Sequence, residues 1–364
     1  MKISVVGAYG YTGKLICDEL DSMHILYAIV GRNKQKLDEL RDNLKVVSDS
    51  WCLDLQNEND CDFLISNSDL IINCAGPFTE ESNILVKKMA QSGKVYLDIS
   101  GELEFIKTSR ENYHQIAIES KSLIIHGCAF ESLITDLVLQ NLKVENENVQ
   151  AIRTFYLFEK TKASPGTRIT MKLAKFRKNL KISAFQWTVS DLNKDILDVQ
   201  ISNQIDCYRA IVYPLPDIAF SHWLYQPEIV ESYLLVKPEE SLFILPRQEQ
   251  PNLIIPTLSK LSKRKIAGPT KEERQSQTSS IIIQIVQKDE KEKILLVESN
   301  DMYQTTAKAI LLSVIKILDM QKCHFGVLNP AVLFLKEENM ILTKLGVKIT
   351  DEQQVIIQQL KKFN

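Results

Sequence analysis

Three evenly spaced glycines, Gly7, Gly10 and Gly13, lie in the stretch "VGAYGYTG" near the start of the 364-residue chain. Glycine costs about 0.5–1 kcal/mol relative to alanine inside a helix or strand. A cluster of three therefore marks backbone that turns sharply or lets something approach closely. The chemistry such a loop suits is the cradling of a pyrophosphate by main-chain N–H groups at a helix N-terminus. Arg32 follows nineteen residues after Gly13. In dinucleotide folds an acidic residue about 20 positions on bonds a ribose 2′-OH, whereas an arginine accommodates a 2′-phosphate. A guanidinium fork matches phosphate, so Arg32 points to NADP rather than NAD. Lys36 adds positive charge there or is plain surface. Tyr9, in the glycine loop, belongs to the same expected cofactor set, and Asp54 falls where the adenine edge would lie.

Proton chemistry needs acids or bases at the same end of the fold. Asp98, Glu102, Glu131, Ser132 and His126 are the candidates, with Glu131 and Ser132 the expected catalytic pair. A carboxyl buried at Glu131 would have a raised pKa and stay protonated. The competing reading is a carboxylate facing a helix dipole. His126, inside the apolar "LIIHGCAF", reads as a core histidine, and His114 as a surface one. Cys74 and Cys128 read as small buried apolar groups. No Tyr-x-x-x-Lys pair, nucleophilic triad or metal-spaced His/Cys cluster is legible, so no metal is expected.

The elements that must position these residues alternate regularly. "KISVV", residues 25–30, "WCLDL", "DLIINCAG", "VYLDIS" and "LIIHGCAF" read as strands, with helical patterns between them. Such alternation implies parallel βαβ units whose ligands sit at the carboxyl ends of the strands. The expected class is α/β: an N-terminal Rossmann-type doubly wound parallel sheet plus a mixed, largely antiparallel α+β second domain. The expected domains are 1–130 for the nucleotide, 131–300 for substrate or dimerisation, and a helical 301–364 packing back on the first. Residues 252–277 read as an exposed connection, and "TTAKAILLSVIKILD" as a buried helix.

Residues 167–181, "TRITMKLAKFRKNLK", place Ile169, Leu173, Phe176 and Leu180 on one helical face among six cations. This helix is either a surface for an acidic carrier protein, a CoA-like substrate or anionic lipid, or a solvated face packed by its apolar stripe.

A formal net charge of −2 gives no global attraction to nucleic acid. Seven scattered cysteines without a CxxC pair read as reduced thiols, and no uncharged apolar run reaches the ~20 residues of a membrane span. With the first strand beginning at once, the expected location is cytoplasmic.

Five segments, "GAYGYTGKL", "VGRNKQKL", "INCAGPF", "YLDISGE" and "GCAFESLITDL", together resemble the saccharopine dehydrogenase-like oxidoreductases, which include trans-acting enoyl reductases. "SPGT", "GPTKEER", "YQTTAKA", "FGVLNPAVLF" and "LTKLGVKI" resemble that family's later segments. The resemblance implies an NADPH-dependent reductase acting on a C=C or C=N bond of a small or acyl-linked substrate. By position, Gly7, Gly10, Tyr11, Thr12, Gly13 and Arg32 would hold the adenosine diphosphate end. Cys74, Ala75, Gly76, Pro77 and Phe78 would lie under the nicotinamide ribose, and Asp98, Ser100, Gly101 and Glu102 would line the pocket beyond. The family's F-D-S-x-P becomes Phe130-Glu131-Ser132-Leu133-Ile134, and its Gly-Gly-Thr becomes Pro165-Gly166-Thr167. These departures leave a second reading open, a non-catalytic NADP-binding sensor or interaction protein. The fold also permits a homodimer through the second domain.

Overall fold

The computed structural model describes residues 1–79, 82–142, 148–159, 162–174, 178–190, 197–201, 207–238, 268–319, 324–351 and 355–359. The elements begin β1 (Ile3–Val6), α1 (Tyr11–Ser22), β2 (Tyr27–Gly31), α2 (Lys34–Arg41), β3 (Val47–Cys52), α3 (Glu58–Ser66) and β4 (Leu70–Asn73). They continue α4 (Asn83–Ala90), β5 (Val95–Asp98), α5 (Leu103–Glu119), β6 (Leu123–Ile125), α6 (Phe130–Asn141), β7 (Val149–Glu159), α7 (Pro165–Ala174), β8 (Leu180–Ser183) and β9 (Gln186–Val189). Then follow β10 (Leu197–Ile201), β11 (Cys207–Val212), α8 (Asp217–Tyr225), β12 (Ile229–Val236), α9 (Lys271–Gln275), β13 (Thr278–Gln287) and β14 (Glu292–Ser299). Last come α10 (Met302–Asp319), β15 (Gly326–Leu328), α11 (Glu338–Lys344), β16 (Lys348–Asp351) and β17 (Val355–Gln359).

The chain forms two compact units, one of residues 1–141 and 302–345, the other of 142–301 and 346–364. The first boundary thus falls after α6 rather than at residue 130. Residues Leu133, Ile134, Leu137 and Val138 of α6 are buried, so this apolar helix completes the first unit instead of opening the second.

In the first unit, seven parallel strands lie in the order β15-β6-β5-β4-β1-β2-β3. The strands β1, β2, β4, β5 and β6 are buried at every position, as near-continuous apolar runs covered on both faces must be. β3 sits at the edge, and its Ser48, Asp49 and Ser50 suit partial exposure. Strand order reverses direction between β1 and β4, which is where such sheets bind ligands.

The segment from residue 301 is not simply helical. β15 adds a seventh parallel strand beside β6, and β16 and β17 pair with β14 and β10 in the second unit. His114 is no surface residue either. Its Nδ1 lies 3.1 Å from the backbone nitrogen and oxygen of Val327, and so fixes β15 to α5.

The second unit is built on a mixed sheet, β16-β14-β13-β7-β12-β11-β10-β17, in which β7 and β12 run parallel and the other pairs of that order are antiparallel. One face carries Phe155, Leu157, Tyr208, Tyr233, Leu235 and Ile282, with Phe155 and Tyr233 stacked at 5.1 Å.

The single helix expected over 167–181 is not formed. α7 ends at Ala174, and Leu180 and Ile182, buried alternately with Lys181 and Ser183, belong to strand β8. Phe176 lies outside the described residues. Lys181 pairs with Glu231 at 3.1 Å, beside Arg153 at 2.8 Å from the same carboxylate. The continuous cationic helix on which a carrier-protein surface depended is therefore absent. No helix among the described residues is long and apolar enough to cross a membrane.

Candidate cofactor site

The loop between β1 and α1 turns at Gly7, whose φ of +74° is one that side chains rarely adopt. Its N–H donates to the Val30 carbonyl at 2.8 Å, and its own carbonyl accepts the Gly10 N–H at 2.8 Å. A Cβ at Gly7 would lie 3.0 Å from the Ala75 nitrogen, so the β4 loop passes directly against it. At Gly13 a Cβ would strike the Gly7 carbonyl and lie 2.9 Å from the Ala8 carbonyl. The three glycines therefore let the loop, the first turn of α1 and the β4 loop close on one another. No side chain caps α1, so its N-terminus keeps the partial positive charge that suits a diphosphate. Tyr11 packs edge-on against Tyr303 at 4.9 Å, and Gln304 bonds Glu19, so α10 braces α1.

The end of β2 is shaped by Tyr9. A Cβ on Gly31 would collide with the Tyr9 ring. The Tyr9 hydroxyl accepts the Arg32 N–H at 3.0 Å, and Lys36 Nζ lies 5.5 Å from the ring centroid. Arg32 is exposed. Asn33 caps α2 by accepting the Lys36 N–H at 3.0 Å. Asp54 is exposed just beyond β3, the strand next to β2, where its carboxylate accepts the Gln56 N–H at 3.1 Å.

Beyond β4, Cys74 donates its N–H to Val6 at 2.9 Å, and Ala75 and Gly76 are exposed. The Gly76–Pro77 bond is cis. Asn73 holds this turn: its Oδ1 accepts the Ala75 N–H at 3.0 Å and its Nδ2 donates to the Tyr96 hydroxyl at 3.0 Å. Asn73 escaped the sequence reading, although a polar residue closing the apolar "DLIIN" was a signal. Phe78 is buried against Phe105 at 5.4 Å.

The expected substrate-pocket residues separate into two groups. Asp98 and Ser100 are both 0 % exposed and spend their polar atoms internally. Asp98 Oδ1 accepts the Ser100 N–H at 3.0 Å, its hydroxyl at 2.6 Å and the Gly127 N–H at 3.0 Å. Its Oδ2 meets His126 Nδ1 at 2.6 Å, and His126 Nε2 meets the Ser109 hydroxyl at 2.7 Å. Burial opposes ionisation of Asp98, but His126 and the hydrogen bonds outweigh it and hold the carboxyl below its usual range. This network ties the loops after β5 and β6 together from beneath. It corrects the placement of Asp98 and Ser100 in a substrate lining. Gly101 is half-buried with open space where a Cβ would go, and Glu102, though buried, accepts the Gly101 N–H at 2.9 Å.

The expected catalytic pair also divides. Ser132 is 1 % exposed on the inner side of α6, which removes it from contact with a substrate. Glu131 is half-buried in the first turn of α6, where desolvation raises its pKa. The preceding N–H, of Phe130, donates to the Thr306 hydroxyl at 3.0 Å, so α10 also braces this end. Farther along, Asp136 accepts the Ala331 N–H at 2.8 Å and pins the turn Pro330–Phe334. Neither Thr306 nor Asp136 carried a signal in its own neighbourhood, because each bond joins residues far apart in the chain. Ser164 accepts the Thr167 N–H at 3.1 Å at the start of α7, whose first residue is Pro165, and Glu131 lies in the first turn of α6. Among the described residues no group of three or more His, Cys, Asp or Glu could hold a metal ion.

A doubly wound parallel sheet, a glycine turn at its switch point and an arginine at the end of β2 define a dinucleotide-binding domain. Residues 3–123 match the family described as the saccharopine dehydrogenase NADP binding domain. The saccharopine dehydrogenase-like oxidoreductase of Mus musculus is 28% identical over 169 residues, covering 42% of this chain and 39% of that protein. The trans-acting enoyl reductase of Mycobacterium ulcerans (strain Agy99) is 30% identical over 146 residues, covering 39% of this chain and 35% of that protein. The matched segment thus spans less than half of either relative. The fold of apo saccharopine dehydrogenase (L-Glu forming) from Saccharomyces cerevisiae superposes over 98% of this chain and 99% of that one, with a TM-score of 0.61 at 11% identity.

Proposed function

We propose that this chain is an NADP(H)-dependent oxidoreductase that transfers a hydride to a C=C or C=N bond of a small or acyl-linked substrate. The observation that carries the reading is the cradle at the switch point. Gly7, Gly10 and Gly13 let the β1–α1 loop close against its own backbone and the β4 loop where any Cβ would collide, at the uncapped N-terminus of α1, with Arg32 on the adjoining strand end. When bound, the nicotinamide supplies the hydride; the protein's part is binding, orientation and electrostatics. Arg32 binds the 2′-phosphate, the α1 N-terminus the diphosphate, and the residues 74–78 support the nicotinamide ribose. Glu131, in the first turn of α6 with its pKa raised by desolvation, is the candidate for proton relay. The six described cysteines are all free, which supports the cytoplasmic location.

The test is a titration of NADPH and NADH followed by turnover assays with enoyl and imine substrates. Arg32→Glu is expected to weaken NADPH by at least about tenfold, or 1.4 kcal/mol, while sparing NADH. Equal losses for both would argue that Arg32 does not read the phosphate. A second reading, a non-catalytic NADP sensor, draws support from the burial of Ser132, Asp98 and Ser100. Tight NADPH binding without turnover on either substrate class would favour it.

A further inference from the structure

We infer that Tyr9 is a positioning residue and Lys36 a second cation in a reader for a phosphate monoester on the ribose. The inference rests on the NADP reading above and adds to it how selectivity is built. Three observations converge on Tyr9. Its ring occupies the space a side chain at position 31 would need, so Gly31 is there to admit the ring. Its hydroxyl accepts the N–H of Arg32 at 3.0 Å, just where β2 ends and strand pairing stops. This bond fixes the point from which the Arg32 side chain departs. Lys36 Nζ stands 5.5 Å from the ring centroid, in range for a cation–π contact worth about 0.5–1 kcal/mol at an exposed site. The Lys36 backbone is fixed in turn by Asn33.

Arg32 and Lys36 are both exposed, and among the described residues neither has an acidic partner. Two uncompensated cations, Lys36 against the Tyr9 ring and Arg32 on the backbone that the Tyr9 hydroxyl fixes, suit a dianion. A neutral 2′-hydroxyl would gain little from either of them. The fork of Arg32 can take two phosphate oxygens, and Lys36 supplies a point charge from the first turn of α2. Arg32 alone would discriminate less, because a side chain at a strand end pays rotamer entropy on every binding event. Tyr9 fixes the backbone from which that side chain departs.

Binding of NADPH and NADH by cofactor fluorescence, with melting curves, tests this on the wild type and on Tyr9→Ala, Tyr9→Phe, Lys36→Ala and Lys36→Arg. Tyr9→Ala and Lys36→Ala are each expected to cut the preference for NADPH about tenfold, leaving NADH affinity within about a factor of two. Lys36→Arg should restore the preference. Tyr9→Phe should fall between, since it keeps the ring under Lys36 but leaves the Arg32 N–H without its acceptor. Equal weakening of both dinucleotides, or an unchanged preference, would overturn the assignment. A wild-type protein that binds neither form would instead remove the NADP reading itself, and this one with it.

Discussion

A single missing Cβ does different work at different glycines, and the difference is measurable. Gly13 faces the carbonyls of Gly7 and Ala8, neither of which can yield without moving the loop, whereas Gly101 has nothing within 4 Å of a built Cβ. Gly13→Ala is therefore expected to cost about 1–3 kcal/mol, the usual range for forced overpacking, and to abolish NADPH binding. Gly101→Ala should stay within about 0.5 kcal/mol in a melting curve. If the two variants melt alike, the close packing assigned to the loop is wrong. Residues that act through backbone geometry were legible in advance, because glycine types and the Gly13-to-Arg32 interval state their purpose locally. Residues that act through burial were not. Asp98 and Ser100 stand at a strand end and Ser132 in the first turn of α6, as pocket residues would, and only their distant partners and the packing of α6 show that they face inward.

At the scale of elements, the Asp98–His126 pair decides whether the loops after β5 and β6 stay joined. His126→Leu would leave a buried carboxylate with its Ser100 and Gly127 donors but without its hydrogen bond to the imidazole. Removing one partner of a buried hydrogen bond costs about 1–3 kcal/mol, so denaturant unfolding should show a loss of that order. The pH dependence follows from the lowered folded pKa of Asp98. Stability from the pair is present above the ordinary carboxylate range and is lost as pH falls below it. The variant should therefore show a flatter acid limb than the wild type. The same scale shows why a pattern failed. Ile169, Leu173, Phe176 and Leu180 have helical spacing, but Leu180 and Ile182 also alternate as a strand, and pairing of β8 with β9 and β12 decides for the strand. By contrast, the βαβ alternation through β6 was readable, because each apolar run had to be buried on both faces.

For the whole molecule, each unit carries a buried aspartate whose pKa is raised chiefly by desolvation. Asp136 of the first unit is pushed up to about 6, and Asp217 of the second to about 7. Asp217 accepts a hydrogen bond from the Thr154 hydroxyl, while its Oδ1 has no hydrogen-bond partner among the described residues. Both groups hold their proton more tightly folded than unfolded. The folded state thus binds more protons between roughly pH 4 and each raised value, and stability falls as pH rises through that window. Each unit of separation in pKa is worth about 1.4 kcal/mol, so Asp217 gives the larger total decline, extending to higher pH. Asp217→Asn and Asp136→Asn mimic the neutral acids and should each flatten their part of the decline between pH 5 and pH 8. The two residues share no partner and belong to different units, so the effects should add within about 0.5 kcal/mol in the double variant. Denaturant melts of the four proteins at both pH values measure this directly. A double variant that still loses stability as steeply as the wild type would show that neither carboxyl is held neutral in the native fold.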